Sequence, residues 1–160
     1  MGDPRISGME FLSLARHAIG PIATRYAMQE AEAVDHDSYA EVRFAGPARA
    51  LVVGMEWAQD YDVYVTIART DRNSEPVVSP TKPEDFSSFD LRTVLARSGI
   101  DAEGLGHFGP GDRQEIEAIL DRLRVDITEH AASLLGDDQS EWHRLQRIAA
   151  DRVARQAGLT

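Results

Sequence analysis

Residues 51–70 read LVVGMEWAQDYDVYVTIART, and the alternation along them is the strongest single constraint on what this chain can become. Leu51, Val53, Met55 and Trp57 share one parity, and Tyr61, Val63, Val65 and Ile67 continue on it beyond the AQD interruption. Side chains on a strand point to opposite faces in turn, so these eight residues line one face of two strands. A connection this short joins antiparallel neighbours. An isolated hairpin is marginal in water, so more strands and a helical cover are required.

The flanking segments supply both. Upstream, Ala40, Val42 and Phe44 alternate with Tyr39, Glu41 and Arg43, and AGPAR turns this third strand into the first of the pair. The stretch AMQEAEAV carries helix formers yet runs straight into that strand. Residues 28–34 are therefore helix or a fourth, extended strand, and the sequence leaves both open. From Met9 to Tyr26 the apolar residues fall near helical spacing, interrupted by Gly20-Pro21, which predicts a bent helix or two short ones. Residues 71–89 contain three prolines and no period, which predicts a long surface loop. Asp90 caps a short helix, LRTVLARS, that ends at Gly99; the segment 99–111 is irregular and holds five glycines.

Two amphipathic helices close the chain, opened by the D-x-x-E pairs Asp112/Glu115 and Asp138/Glu141. The first carries the stripe Ile116, Ile119, Leu120, Leu123, Ile127, Ala131 and Leu134, stopped by Gly136. The second puts Trp142, Leu145, Ile148, Ala149, Val153 and Gln156 on one side. The expectation is an α+β fold in one domain spanning 1–160. An antiparallel meander of three to four strands, within 28–69, packs against a helical segment at 9–26 and helices within 90–157. At 160 residues such a chain buries roughly two-thirds of its unfolded surface without disulfide or metal staples.

Composition narrows the function. There is no cysteine, which removes disulfides, thiolate metal sites and cysteine nucleophiles. The net charge of −10 opposes a phosphate backbone and argues against nucleic-acid binding. No apolar run has the length of a signal peptide or a membrane span, so the expected location is the cytoplasm and no membrane is an expected partner. Of the 17 basic residues only Lys82 is a lysine, a bias that suggests a GC-rich bacterial genome.

Catalytic patterns are sparse. GLGHFGPG contains G-x-G-x-x-G at 104–109 but follows no strand, the context a phosphate loop needs. His17, His36, His107, His130 and His143 include no i, i+4 pair, and DHD at 35–37 reads as a solvated turn before a strand. Asp137 and Asp138 fall between the last helices, where capping carboxylates are ordinarily solvated. Arg144, Arg147, Arg152 and Arg155 form a polar stripe on the last helix, with Glu141 and Asp151 among them. No catalytic residue, cofactor or metal ligand is assigned.

The second parity of the hairpin is more informative: Val52, Gly54, Glu56, Asp62, Tyr64 and Thr66 mix acids, an aromatic and small residues. If helices cover one face only, this face meets water and offers Tyr64 as an anchor. The candidate partner-binding residues are Glu56, Asp60, Asp62 and Tyr64, with Asp60 at the hairpin tip.

The order of parts carries a resemblance. FLSLARHAIGPIATRY, the meander YAEVRFAGPARALVVGMEWAQDYDVYVTIART, FDLRTVLARSGID and AASLLGDDQSEWHRL together resemble, from about residue 10 to 150, small uncharacterised bacterial proteins with a layout similar to immunity proteins of polymorphic-toxin systems. The resemblance rests on this arrangement and on LLGDD. It implies a protein without an active site that binds one cognate protein partner, for instance a basic toxin such as a nuclease, drawn in by complementary charge. The competing reading is a small enzyme or ligand-binding protein with a pocket between the sheet and the 71–89 and 99–111 loops, where His107 and Asp101 would be tested first. A homodimer joined through the sheet is the third.

Overall fold

The computed structural model describes residues 6–58, 61–70, 79–109, 112–136 and 139–158. The chain enters through α1 (Gly8–Arg25) and forms β1 (Gln29–Asp35), β2 (Tyr39–Ala45), β3 (Arg49–Glu56) and β4 (Asp62–Arg69). A 3-10 turn at Pro83–Asp85 leads into β5 (Ser88–Asp90), followed by α2 (Leu91–Arg97), α3 (Arg113–His130), α4 (Ala132–Leu135) and α5 (Gln139–Gln156). The strands form one antiparallel sheet in the order β1-β2-β3-β4-β5. This is the expected α+β layout, with more strands than the meander of three to four.

The parity reading of the hairpin fixes the register. Val42 stands opposite Val53 and Val53 opposite Val65, while Leu51 faces Ile67 and Met55 faces Val63. All of these are buried in one cluster with Phe11 and Ile19 of α1, Leu95 of α2, Leu120 of α3 and Trp142 of α5. Each such side chain contributes about 1.5–3 kcal/mol on burial, and a one-residue slip would turn the whole set to the other face, so the register is strongly specified.

Of residues 28–34, open between helix and strand, 29–34 are strand. Ala27 takes a left-handed φ of 59° and Met28 N–H bonds the Ala23 carbonyl at 2.9 Å, which ends α1 and sends the chain into β1. β1 then pairs along β2 with a register shift between Glu30 and Glu32. Gly20-Pro21 does not divide the first segment into two helices. Ile19, Ile22 and Ala23 are buried on either side of the interruption, so core packing holds one helix. Pro21 is exposed, and the carbonyl it cannot serve, that of His17, belongs to an exposed residue that water can reach.

Three further expectations are corrected. Within the segment read as a loop over 71–89, residues 71–78 lie outside the described ones, but Pro83–Asp85 is helical and Ser88–Asp90 pairs with Thr66–Ala68. The stripe ending at Leu134 is not one helix: it breaks at Ala131 (φ −111°, ψ 2°) into α3 and α4. On α5, Ile148 is 37% exposed, whereas Gln146 is buried, donating from Nε2 to the Phe86 carbonyl at 2.9 Å. The helix starts at Asp90 and Asp112 follow the sequence, their carboxylates accepting from Arg92 N–H and Glu115 N–H at 2.8 and 3.0 Å. Asp138 lies outside the described residues.

A buried cation joins the sheet to the last helices. Arg49, 2% exposed, sits on the core parity at the start of β3. Its Nε donates to the Leu134 carbonyl at 2.8 Å, and its guanidinium lies 4.7 Å over the Trp142 ring. The Leu134 carbonyl belongs to the last turn of α4, where no intrahelical donor remains, and arginine supplies one. Phe89 of β5 meets the same tryptophan edge-on at 5.1 Å. Among the described residues no helix is long and apolar enough to cross a membrane.

Candidate functional site

Because the core cluster takes one parity of β2, β3 and β4, the other parity lies on the opposite face of the sheet. Antiparallel pairing aligns it in rows. Glu41, Gly54 and Tyr64 lie directly opposite one another across β2, β3 and β4; Tyr39, Glu56 and Asp62 form the adjacent row. Toward the edge, Glu32 and Val34 of β1 stand beside Arg43 and Glu41.

The first row is closely fitted. A glycine inside a strand marks a place where something approaches the backbone, and at Gly54 it is the Tyr64 ring: a Cβ there would overlap Cζ and the hydroxyl oxygen. The ring therefore lies across β3 instead of projecting, and its hydroxyl donates to Glu41 Oε2 at 2.6 Å. Burial is the main cause that pushes the Tyr64 phenol above its ordinary range, and the hydrogen bond to Glu41 and the negative charges of Glu41 and Glu56 add to it. Tyr64 stays neutral, half-buried and fixed in place.

The second row divides. Glu56 is exposed at the end of β3. Asp62, expected as a solvated acid near the hairpin tip, is 7% exposed. Arg92 of α2 donates from Nη2 to Asp62 Oδ1 at 2.5 Å and from Nε to the Leu105 carbonyl at 2.8 Å. The segment 105–108 covers the start of β4, with Val63 N–H donating to the Gly106 carbonyl at 2.8 Å and Phe108 N–H to the Tyr61 carbonyl at 3.1 Å. Gly106 has φ 87°, and a Cβ on it would run into the Val63 carbonyl. Asp62 thus anchors a loop to the sheet, and the charge it could show a partner is neutralised.

Of the four residues singled out in the sequence, Glu56 and Tyr64 share the open face, Asp62 is engaged by Arg92, and Asp60 lies outside the described residues. Tyr39 and Glu41, which complete the face, were not singled out. Gly54 in the middle of an apolar strand is the signal that could have found the Tyr64–Glu41 pair.

Residues 71–78, 110 and 111 of the loops that would line the competing pocket lie outside the described residues, but the positions of its two test residues are described. Asp101 is exposed, accepts from Glu103 N–H at 3.0 Å and lines an open depression with Arg92 and Ala96. His107 is not among the residues lining that depression; its Nδ1 lies 3.9 Å from Asp62 Oδ1, beyond hydrogen-bond reach. Among the described residues no group of three or more His, Cys, Asp or Glu side chains is placed to hold a metal ion. What the open face offers is two tyrosine rings with the carboxylates of Glu32, Glu41 and Glu56 against one guanidinium, Arg43.

Comparison with protein-family models, with curated proteins and with solved structures finds no match to this chain.

Proposed function

We propose that this chain is a non-catalytic protein-binding domain that uses the open face of its sheet to occlude a basic protein partner, in its most specific form an immunity-type inhibitor of a toxin. The observation that carries the reading is the face built on Tyr39, Glu41, Glu56 and Tyr64, which lies opposite the core cluster and holds acids in excess of bases. A rigid aromatic held flat loses little side-chain entropy on binding, and Glu56 adds the charge that steers association. The chain's net charge of −10 acts in the same direction.

The test is co-expression with the product of the adjacent gene. The expected result is a complex that survives purification, rescue of growth if that product is toxic, and an affinity lowered roughly tenfold by Glu56→Lys, equivalent to about 1.4 kcal/mol. Because Glu56 is exposed, the variant should unfold at the same urea concentration as the parent. Full binding and protection by a folded Glu56→Lys protein would defeat the sheet-face reading; a harmless, unbound neighbour belonging to a biosynthetic operon would defeat the immunity reading.

A further inference from the structure

A second concavity, separate from the open sheet face, lies where β5 and α2 meet α5. It has a volume of about 410 Å³, within the roughly 300–1,000 Å³ range of small-molecule sites. Its wall is apolar, formed chiefly by Phe86, Phe89, Leu145, Ala149 and Val153. Ile148 also lines it and is 37% exposed; among the described residues it and Met9 are the two large exposed hydrophobic side chains.

Of the three charged residues that line this cleft, two are cationic. Arg97 and Arg152 both line it. Arg152 is exposed and has no ion pair among the described residues. Arg97 is held by Glu141 across the helix interface and by the His130 carbonyl, to which its Nη2 donates at 3.5 Å, so it adds positive charge near the cleft without offering a free donor there. Burial, and then the charge of Arg144, make Arg97 less basic than an ordinary arginine, as expected for a cation with less than full compensation. The acid that lines the cleft, Asp90, is occupied in capping α2.

We propose that the cleft binds a small amphipathic anion, specifically a medium-chain carboxylate, with its hydrocarbon against Phe89, Leu145, Ile148 and Val153 and its carboxylate on the exposed guanidinium of Arg152. Guanidinium presents a planar fork that matches carboxylate oxygens, which a neutral apolar ligand would leave unused. A second copy of the chain is a poorer occupant, because each copy brings a net charge of −10.

Titration calorimetry of the full chain with octanoate, nonanoate and decanoate, below the concentrations at which they form micelles, tests the assignment. The expected result is one saturable site per chain, with affinity rising about fourfold per added CH₂. Arg152→Gln should weaken decanoate roughly tenfold or more, through loss of a charged hydrogen bond, and leave decanol unaffected. Ala149→Trp should abolish binding of both by filling the cleft, with unchanged circular dichroism confirming the fold. Decanol binding as tightly as decanoate, an unaltered decanoate affinity in Arg152→Gln, or no saturable site would overturn the proposal. So would a protein whose mass doubles in solution, falls back to that of one chain in Ile148→Asp, and binds no decanoate in the parent, since the cleft would then be an interface between copies.

Discussion

Replacing Gly54 by alanine should be damaging only because of Tyr64, and that dependence can be measured. The added methyl occupies the space of the tyrosine ring, so the ring must lift from β3 and release Glu41. A hydrogen bond to a charged acceptor is worth about 1.5–3 kcal/mol, and the half-buried setting of Tyr64 points to the lower end. Against this, alanine in place of a strand glycine restores about 0.5–1 kcal/mol by reducing the freedom of the unfolded chain. Gly54→Ala should therefore cost about 1 kcal/mol in the parent. In a Tyr64→Ala background, where nothing remains to displace, the same change should stabilise by about 0.5–1 kcal/mol. The coupling between the two sites is then about 1.5–2 kcal/mol, large for a pair in which one member has no side chain. Urea unfolding of the four proteins, followed by tryptophan fluorescence, closes the cycle. Equal destabilisation by Gly54→Ala in both backgrounds would refute the fitted arrangement of ring and backbone.

Two other outcomes follow from the same face. Arg92→Ala should cost about 3 kcal/mol in urea unfolding, because it strands a buried carboxylate; Asp62→Asn, which removes the buried charge and leaves the more exposed Arg92 to water, should cost less, and the reverse order would refute the stranded-carboxylate account. The Tyr64 phenol titrates above its ordinary value in the folded protein, so the folded state holds that proton more tightly than the unfolded chain does. The associated stability is present below about pH 10 and is lost as the pH rises further. Parent protein should accordingly lose stability relative to Tyr64→Phe above that pH, and the last tyrosine to ionise in an absorbance titration should be missing from the variant.

How much of this was legible in the sequence depends on how local each determinant is. The parity of 51–67 is a property of consecutive residues, and it gave both the register and the buried face. β1 was ambiguous because Gln29, Glu30, Ala31 and Glu32 favour helix on their own; pairing with Tyr39–Ala45 overrides that preference, and propensity is the weaker term when a ladder is available. β5 was missed because Ser88–Asp90 is three residues long and Asp90 serves as strand end and helix cap at once. The break at Ala131 has no glycine or proline to announce it.

The site was legible only in part, and the failures share a cause. Asp62 reads as one of a group of surface acids until Arg92, thirty positions later, folds back onto it beneath the glycine-bearing loop around Gly106. Arg49 reads as a turn residue until Leu134 and Trp142 arrive from the far end of the chain. A charge is assigned to solvent or to the interior by partners distant in sequence, whereas an apolar residue is assigned by its own neighbours. The acids on the open face are therefore those that no distant cation claims. That is why the functional test moves from Asp62 to Glu56, and why Tyr64, spent on Glu41 and flat against Gly54, should act through its ring face and not its hydroxyl.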